Sequence, residues 1–122
     1  MDVWGQQLAR AESVEFFFRK CHYPNALYRV GVEAGRGTML VAPVETRWGS
    51  KVDLLQSLLH NRELVENTLG QLRREKFTNN LWQELGWVWN AHFWEELEHM
   101  CQPLKNMKAF MHRLHPRAMW LF

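Results

Sequence analysis

Residues 50–69 read SKVDLLQSLLHNRELVENTL, and this stretch decides the fold. Its apolar residues recur at helical spacing, which predicts one long amphipathic helix. Gly70 interrupts the pattern only locally, so the helix can continue to Arg74. The apolar face consists of Val52, Leu55, Leu58, Leu59, Val65 and Leu69, and Leu54 broadens it.

The segment before this helix, residues 43–50, reads PVETRWGS and is predicted to be a loop. A proline and a glycine bracket it and exclude a regular helix. The side-chain oxygen of Thr46 or Ser50 is expected to cap the following helix by accepting a free backbone N–H. Arg47 and Trp48 are thereby presented together, a guanidinium beside an indole. This pairing suits phosphate contact and base stacking.

Helical periodicity extends over most of the remaining chain. Residues 7–22 and 25–34 predict two helices, and the Gly-Arg-Gly at 35–37 ends the second. Residues 38–41 are apolar or β-branched, but no second strand exists to pair with them, so we expect extended coil.

A long C-terminal helix is predicted over residues 81–114 and ended by Pro116. Pro103 should kink it near residue 99, because proline lacks a backbone donor and crowds the carbonyl four residues earlier. Its apolar seam alternates spacings of four and three residues and consists of Phe93, Leu97, Met100, Leu104, Met107, Met111 and Leu114.

These elements predict an all-α fold. We expect an irregular helical bundle with a long Pro-kinked C-terminal helix and one short extended segment before the Arg-Trp loop. The packing of the 50–69 helix against the 81–114 helix should dominate it.

Composition indicates a globular chain with no strong electrostatic bias. The 122 residues are 47% hydrophobic and 23% charged, and the net charge of +2 is too small to predict nucleic-acid binding by itself. The N-terminus lacks the features of a secretory signal and no apolar run is long enough to span a bilayer, so a soluble intracellular protein is expected. Cys21 and Cys101 are predicted to be reduced, with a single disulfide as the alternative.

Several pieces of the sequence occur in an order and at spacings typical of one protein family. They are FFFRKCH (16–22), PNAL (24–27), TRWGS (46–50), the leucine pairs from Leu54 to Leu59, Asn61-Arg62, VWN (88–90), Phe93-Trp94 and CQPL (101–104). Together they resemble the hAT superfamily of DNA transposases over roughly residues 14–112. The resemblance covers the Arg-Trp block and the start of the family's all-α insertion domain.

The resemblance implies a non-catalytic piece of a transposase. The family cuts DNA with three carboxylates that hold divalent metal ions. This chain has only Asp2 and Asp53 as aspartates, and neither matches the family's catalytic positions, so no catalytic residue and no cofactor carries over. Residues 1–122 are then a single helical domain, part of an insertion domain truncated at both ends, and nuclear localisation is expected.

A DNA-binding role of Arg47 and Trp48 follows from the same resemblance, and the nearby Lys51 is expected to take part in the contact. The DNA would be like a transposon end, branched or hairpin-shaped, because the indole can replace a lost stacking neighbour. In the alternative interpretation Trp48 packs beneath the leucine helix and Arg47 pairs with Glu45 or Glu33.

Two groups of basic residues could also follow a DNA backbone or be ordinary solvated surface. The first group consists of Arg73, Arg74 and Lys76, and the second of Lys105, Lys108, Arg113 and Arg117.

A rival function is a stand-alone helical module for protein–protein interaction or oligomerisation. Its contact surface would be an aromatic and methionine stripe that includes Trp82, Trp87, Trp89, Trp94, Met107 and Met111. Binding to a membrane is not expected.

Metal binding is the weakest hypothesis. Glu96 and His99 have the i, i+3 spacing of di-iron bundles, but the required second Glu-x-x-His is missing. The pattern around His92 favours a solvated helix face with i, i+4 pairs, and His112 and His115 near Cys101 lack a second clustered cysteine.

Overall fold

The computed structural model describes residues 3–44 and 48–114, without the side chains of Val3, Trp48, Met111 and His112. These ranges contain no strand, and residues 37–44 are extended coil, so the all-α prediction and the predicted extended segment are confirmed. The helices are α1 (Val3–Lys20), α2 (His22–Glu33), α3 (Trp48–His60), α4 (Arg62–Arg74), α5 (Asn80–Gln83) and α6 (Ala91–Leu114), with a 3₁₀ turn at Gly86–Trp89 between the last two.

The core lies between α3 and α6, which form the most extensive helix pair, and α1 packs across both of them. The leucine face of α3 is buried as the sequence predicts, with Leu54, Leu55 and Leu58 fully shielded from solvent. Among the described side chains, Trp94 on α6 is the largest that is fully buried. Among the described residues, no helix combines the length and the apolarity needed to cross a membrane.

The predicted 50–69 helix is in fact two helices, α3 and α4, which are separated at Asn61. Asn61 is 1% exposed, and its backbone leaves the helical region at φ −101° and ψ 15°. Its amide oxygen accepts the backbone N–H of Thr38 at 2.7 Å, and its amide nitrogen donates to the carbonyl of Ser57 at 2.8 Å. The prediction of one helix was wrong because this side chain binds backbone from the distant 37–44 segment.

The predicted 81–114 helix also begins later than expected, at Ala91. Asn79 caps the short helix α5 by accepting the N–H of Trp82 at 2.7 Å. Asn90 then takes an extended conformation at φ −84° and ψ 120°, and its side chain accepts the N–H of His92 at 2.9 Å. A second cap therefore starts α6. Pro103 lies inside α6, while the kink near residue 99 stays a prediction and Pro116 lies outside the described residues.

The first two helices differ from prediction only at their boundaries. α1 begins at Val3 and ends at Lys20, and α2 begins at His22. Pro24 is tolerated in the first turn of α2, where a backbone N–H has no intrahelical acceptor. Gly35, at φ +78°, ends the segment in the left-handed region, as the Gly-Arg-Gly signal predicts.

Candidate nucleic-acid interface

The side chain of Ser50 forms two hydrogen bonds across the loop before α3. Ser50 Oγ accepts the backbone N–H of Val44 at 2.9 Å and donates to the carbonyl of Val44 at 3.0 Å. Ser50 lies in the first turn of α3, so the prediction that it caps this helix was wrong. Thr46, the other predicted cap, lies outside the described residues. The hydroxyl instead holds the two ends of the Arg-Trp loop together.

Of the residues expected to contact DNA, Trp48 and Lys51 lie in the first turn of α3. Trp48 is the first residue of α3, but its side chain is not among those described. Arg47 and its suggested partner Glu45 lie outside the described residues. The predicted roles of Arg47 and Trp48, and the alternative of a buried Trp48, therefore stay predictions.

Lys51 is the predicted DNA-binding residue whose surroundings are described. Its Nζ lies 3.3 Å from Glu12 Oε1 on α1, and its side chain is 24% exposed. This ion pair joins the first turn of α3 to the middle of α1. Lys51 thus already forms an ion pair, although its side chain remains partly exposed.

The second basic group lies beside the same turn. Lys108 Nζ is 2.8 Å from Asp53 Oδ1 and 3.5 Å from the carbonyl oxygen of Gly49. Lys105 and Arg113 are exposed on the same section of α6. The fold therefore brings two basic segments together that lie more than fifty positions apart in the sequence. Arg117, the fourth member of this group, lies outside the described residues.

The first basic group lies elsewhere. Arg73 stacks its guanidinium over the ring of Trp89 at 5.2 Å, and Lys76 takes a positive φ of 58° after the end of α4. Nearby, Tyr23 donates its hydroxyl to Glu75 at 2.7 Å. This hydrogen bond lowers the pKa of Glu75 and raises the pKa of Tyr23.

The residues considered for metal binding form ordinary contacts. His92 Nε2 lies 3.0 Å from Glu96 Oε1 in an i, i+4 pair, and His99 is exposed. Within the described residues, no three His, Cys, Asp or Glu side chains come together in a way that could hold a metal ion.

Both cysteines are free thiols in the structure. Cys21 Sγ accepts a hydrogen bond from the Asn79 amide at 3.3 Å. Burial raises the pKa of the Cys101 thiol, and the nearby Lys105 partly offsets this effect. The environment of Cys101 does not mark a nucleophile, because a reactive cysteine needs a lowered pKa.

Comparison with known proteins identified no relative of this chain. No protein-family model matches the chain, and neither the curated proteins nor the solved structures contain a significant match.

Sequence reasoning missed the acidic partners of the two lysines. Glu12 and Asp53 have no unusual sequence context, and only tertiary packing places them beside Lys51 and Lys108. The i, i+2 spacing of Lys51 and Asp53 indicates that they point to different sides of α3, toward α1 and α6 respectively. No local pattern would have identified these pairs.

Proposed function

We propose that this chain is a non-catalytic piece of a hAT-like DNA transposase that contacts DNA at the end of the bundle where α3 begins. The contacts would come from Arg47, Trp48 and Lys51, in a transposition-related role within the nucleus. The observation that carries the proposal is the approach of Lys108 to Gly49, because it adds the basic section of α6 to the Arg-Trp block.

Electrostatics at this end are compatible with a phosphate backbone. The first turn of α3 contains no acidic residue, and a helix start carries a partial positive charge. Lys105 and Arg113 add two exposed cations. Each cation that replaces a condensed counterion would make binding more dependent on salt.

The two existing ion pairs do not prevent such contacts. Lys51–Glu12 and Lys108–Asp53 are both partly exposed, and surface ion pairs contribute only about 0–1 kcal/mol. A phosphate can therefore compete for either lysine. The cost is a carboxylate left near the DNA, so these two acids should weaken binding.

Stacking on Trp48 is the specific part of the proposal. Base stacking on an aromatic side chain contributes about 1–3 kcal/mol per base. In fluorescence anisotropy with hairpin or branched DNA, we expect Trp48→Ala to weaken binding by roughly 5- to 150-fold. Trp89→Ala is the matched control, because Trp89 is 41% exposed and lies on the 3₁₀ turn, away from this end. Equal weak binding by both variants and the unaltered chain would remove the stacking claim.

The charge contribution is tested by variants that should change affinity in opposite directions. Lys51→Ala should lower affinity and reduce the slope of log K against log salt by about one. Asp53→Asn should raise affinity, because it removes a negative charge and releases Lys108 from its ion pair. Lys20→Ala, which removes an exposed lysine at the end of α1, serves as the control. If Asp53→Asn and Lys51→Ala shift the affinity in the same direction, this site is not the DNA contact.

A further inference from the structure

The last turns of α6 expose an apolar surface, which we call the distal stripe and define as Met107, Phe110 and Leu114. These side chains are 50%, 53% and 65% exposed. Their spacings of three and four residues place them on one face of the helix. Scattered apolar residues are normal on a surface, but three large ones aligned on one helix face indicate a contact.

The distal stripe continues the buried seam of the same helix. Phe93, Leu97, Met100 and Leu104 precede it on nearly the same face, and all four are at most 5% exposed. The change from buried to exposed has a simple cause. α6 passes the first turn of α3 at the level of Lys108, which reaches Gly49 and Asp53. α3 begins at Trp48, so it offers no further helical surface beyond this level.

Within α6 itself, the charged residues around the distal stripe are all basic. Residues 105–114 contain Lys105, Lys108 and Arg113 and no Asp or Glu. In the described part of the chain, Lys108 forms an ion pair with Asp53, whereas no ion pair involves Lys105 or Arg113. The acidic residues of α6 lie in its first half, and the nearest of them, Glu98, is nine residues before Met107, or about 13 Å along the axis.

This charge pattern indicates which kind of molecule binds the distal stripe. A second copy packing its own distal stripe here would bring two basic sections together, which costs free energy. Nucleic acid supplies the opposite charge but no apolar ridge to cover the stripe. A helix with an apolar face and acidic edges supplies both. We propose that the distal stripe docks such an amphipathic helix from a partner protein, an inference that goes beyond DNA contact and does not depend on it.

The test uses a fluorescein-labelled synthetic peptide of three heptads, with leucine at the core positions and glutamate at the flanking positions. We expect it to bind the full chain in an anisotropy titration, and Phe110→Ala to weaken binding about tenfold. Val30→Ala is the matched control, since Val30 is 62% exposed on α2 and should leave binding unchanged. Equal affinity for Phe110→Ala and the unaltered chain would overturn the proposal.

A charge exchange tests the occupant's chemistry. The double variant Lys105→Glu/Arg113→Glu should bind the glutamate peptide more weakly than the unaltered chain does. It should bind a version of the peptide with lysine in place of glutamate more tightly. Equal binding of both peptides by the unaltered chain would instead indicate unspecific adhesion and contradict the proposal. Light scattering completes the test: a dimer that Phe110→Ala dissociates would make a second copy the occupant and overturn it as well. DNA affinity should be the same for Phe110→Ala and the unaltered chain, which keeps this proposal separable from the nucleic-acid one.

Discussion

Tyr28 on α2 is 1% exposed and donates its hydroxyl to the carbonyl of Thr38 at 2.7 Å. The phenol ring is tilted against Phe18 at a centroid distance of 5.1 Å. Burial raises the pKa of this phenol from 10.0 to about 12. Tyr28 therefore secures the extended segment 37–44, which leads to the Arg-Trp loop, and it does so only while it keeps its proton.

The raised pKa predicts a loss of stability at high pH. The unfolded chain releases the Tyr28 proton near pH 10, whereas the folded chain holds it until about pH 12. The stabilising effect is complete below pH 10 and disappears as the pH rises to about 12. We expect the Tm of the unaltered chain, followed by circular dichroism, to fall more between pH 9 and pH 11.5 than the Tm of Tyr28→Phe. Parallel pH profiles for the two proteins would contradict this assignment.

At the scale of elements, the junction of α3 and α4 depends on Asn61. Its amide oxygen accepts the Thr38 N–H, and its amide nitrogen also donates to Thr38 Oγ1 at 3.1 Å. The neighbouring chain approaches closely here: a Cβ at Gly37 would lie 2.5 Å from Asn61 Oδ1. Glycine at 37 is thus required by the close contact between the extended segment and the junction.

Removing the Asn61 side chain should destabilise the protein because it deletes a buried amide whose hydrogen bonds join the backbone of Thr38 to the carbonyl of Ser57. We expect Asn61→Ala to lower the free energy of unfolding by about 1–3 kcal/mol, measured by urea denaturation. Asn67→Ala is the control, since Asn67 is exposed on α4 and should change stability by less than about 0.5 kcal/mol. Equal stability of the two variants would show that the break between α3 and α4 does not depend on this side chain.

Asn61 and Asn90 also show how far the sequence predicts these elements. Helical periodicity correctly identified the leucine face of α3 and the first part of the α6 seam, from Phe93 to Leu104, because burial follows spacing along one helix. Met107 and Leu114 of the predicted seam are exposed instead. The breaks at Asn61 and Asn90 were missed. Asn61 binds a residue 23 positions away, and Asn90 caps α6 within a segment whose apolar pattern is continuous. The contact of Lys108 with Gly49 was missed for the same reason, since packing alone creates it.

At the scale of the whole molecule, Trp94 links several parts of the bundle. It is 1% exposed, its indole N–H donates to the carbonyl of Val88 at 3.2 Å, and the Arg62 guanidinium lies over its ring at 5.2 Å. α4, the 3₁₀ turn and α6 therefore share one side chain. Trp89, by contrast, is 41% exposed and contacts Trp82 and Arg73 near the surface.

This difference predicts unequal costs for two tryptophan substitutions. We expect Trp94→Ala to lower the free energy of unfolding by about 3–5 kcal/mol, because it removes a large buried ring and leaves a cavity. Trp89→Ala should cost about 1 kcal/mol or less, since it removes a half-exposed ring and one cation–π contact. Urea denaturation followed by circular dichroism measures both. A larger cost for Trp89→Ala would place the centre of the core away from Trp94.

The pairing of α3 with α6 has a consequence for biosynthesis. α3 ends at His60, and its main partner does not begin until Ala91. On the ribosome, α1 is already made when α3 follows, but the side of α3 that α6 covers stays uncovered while some thirty further residues are added. Apolar surface exposed in this way favours aggregation, so the order of synthesis makes this side of α3 the vulnerable part of the nascent chain.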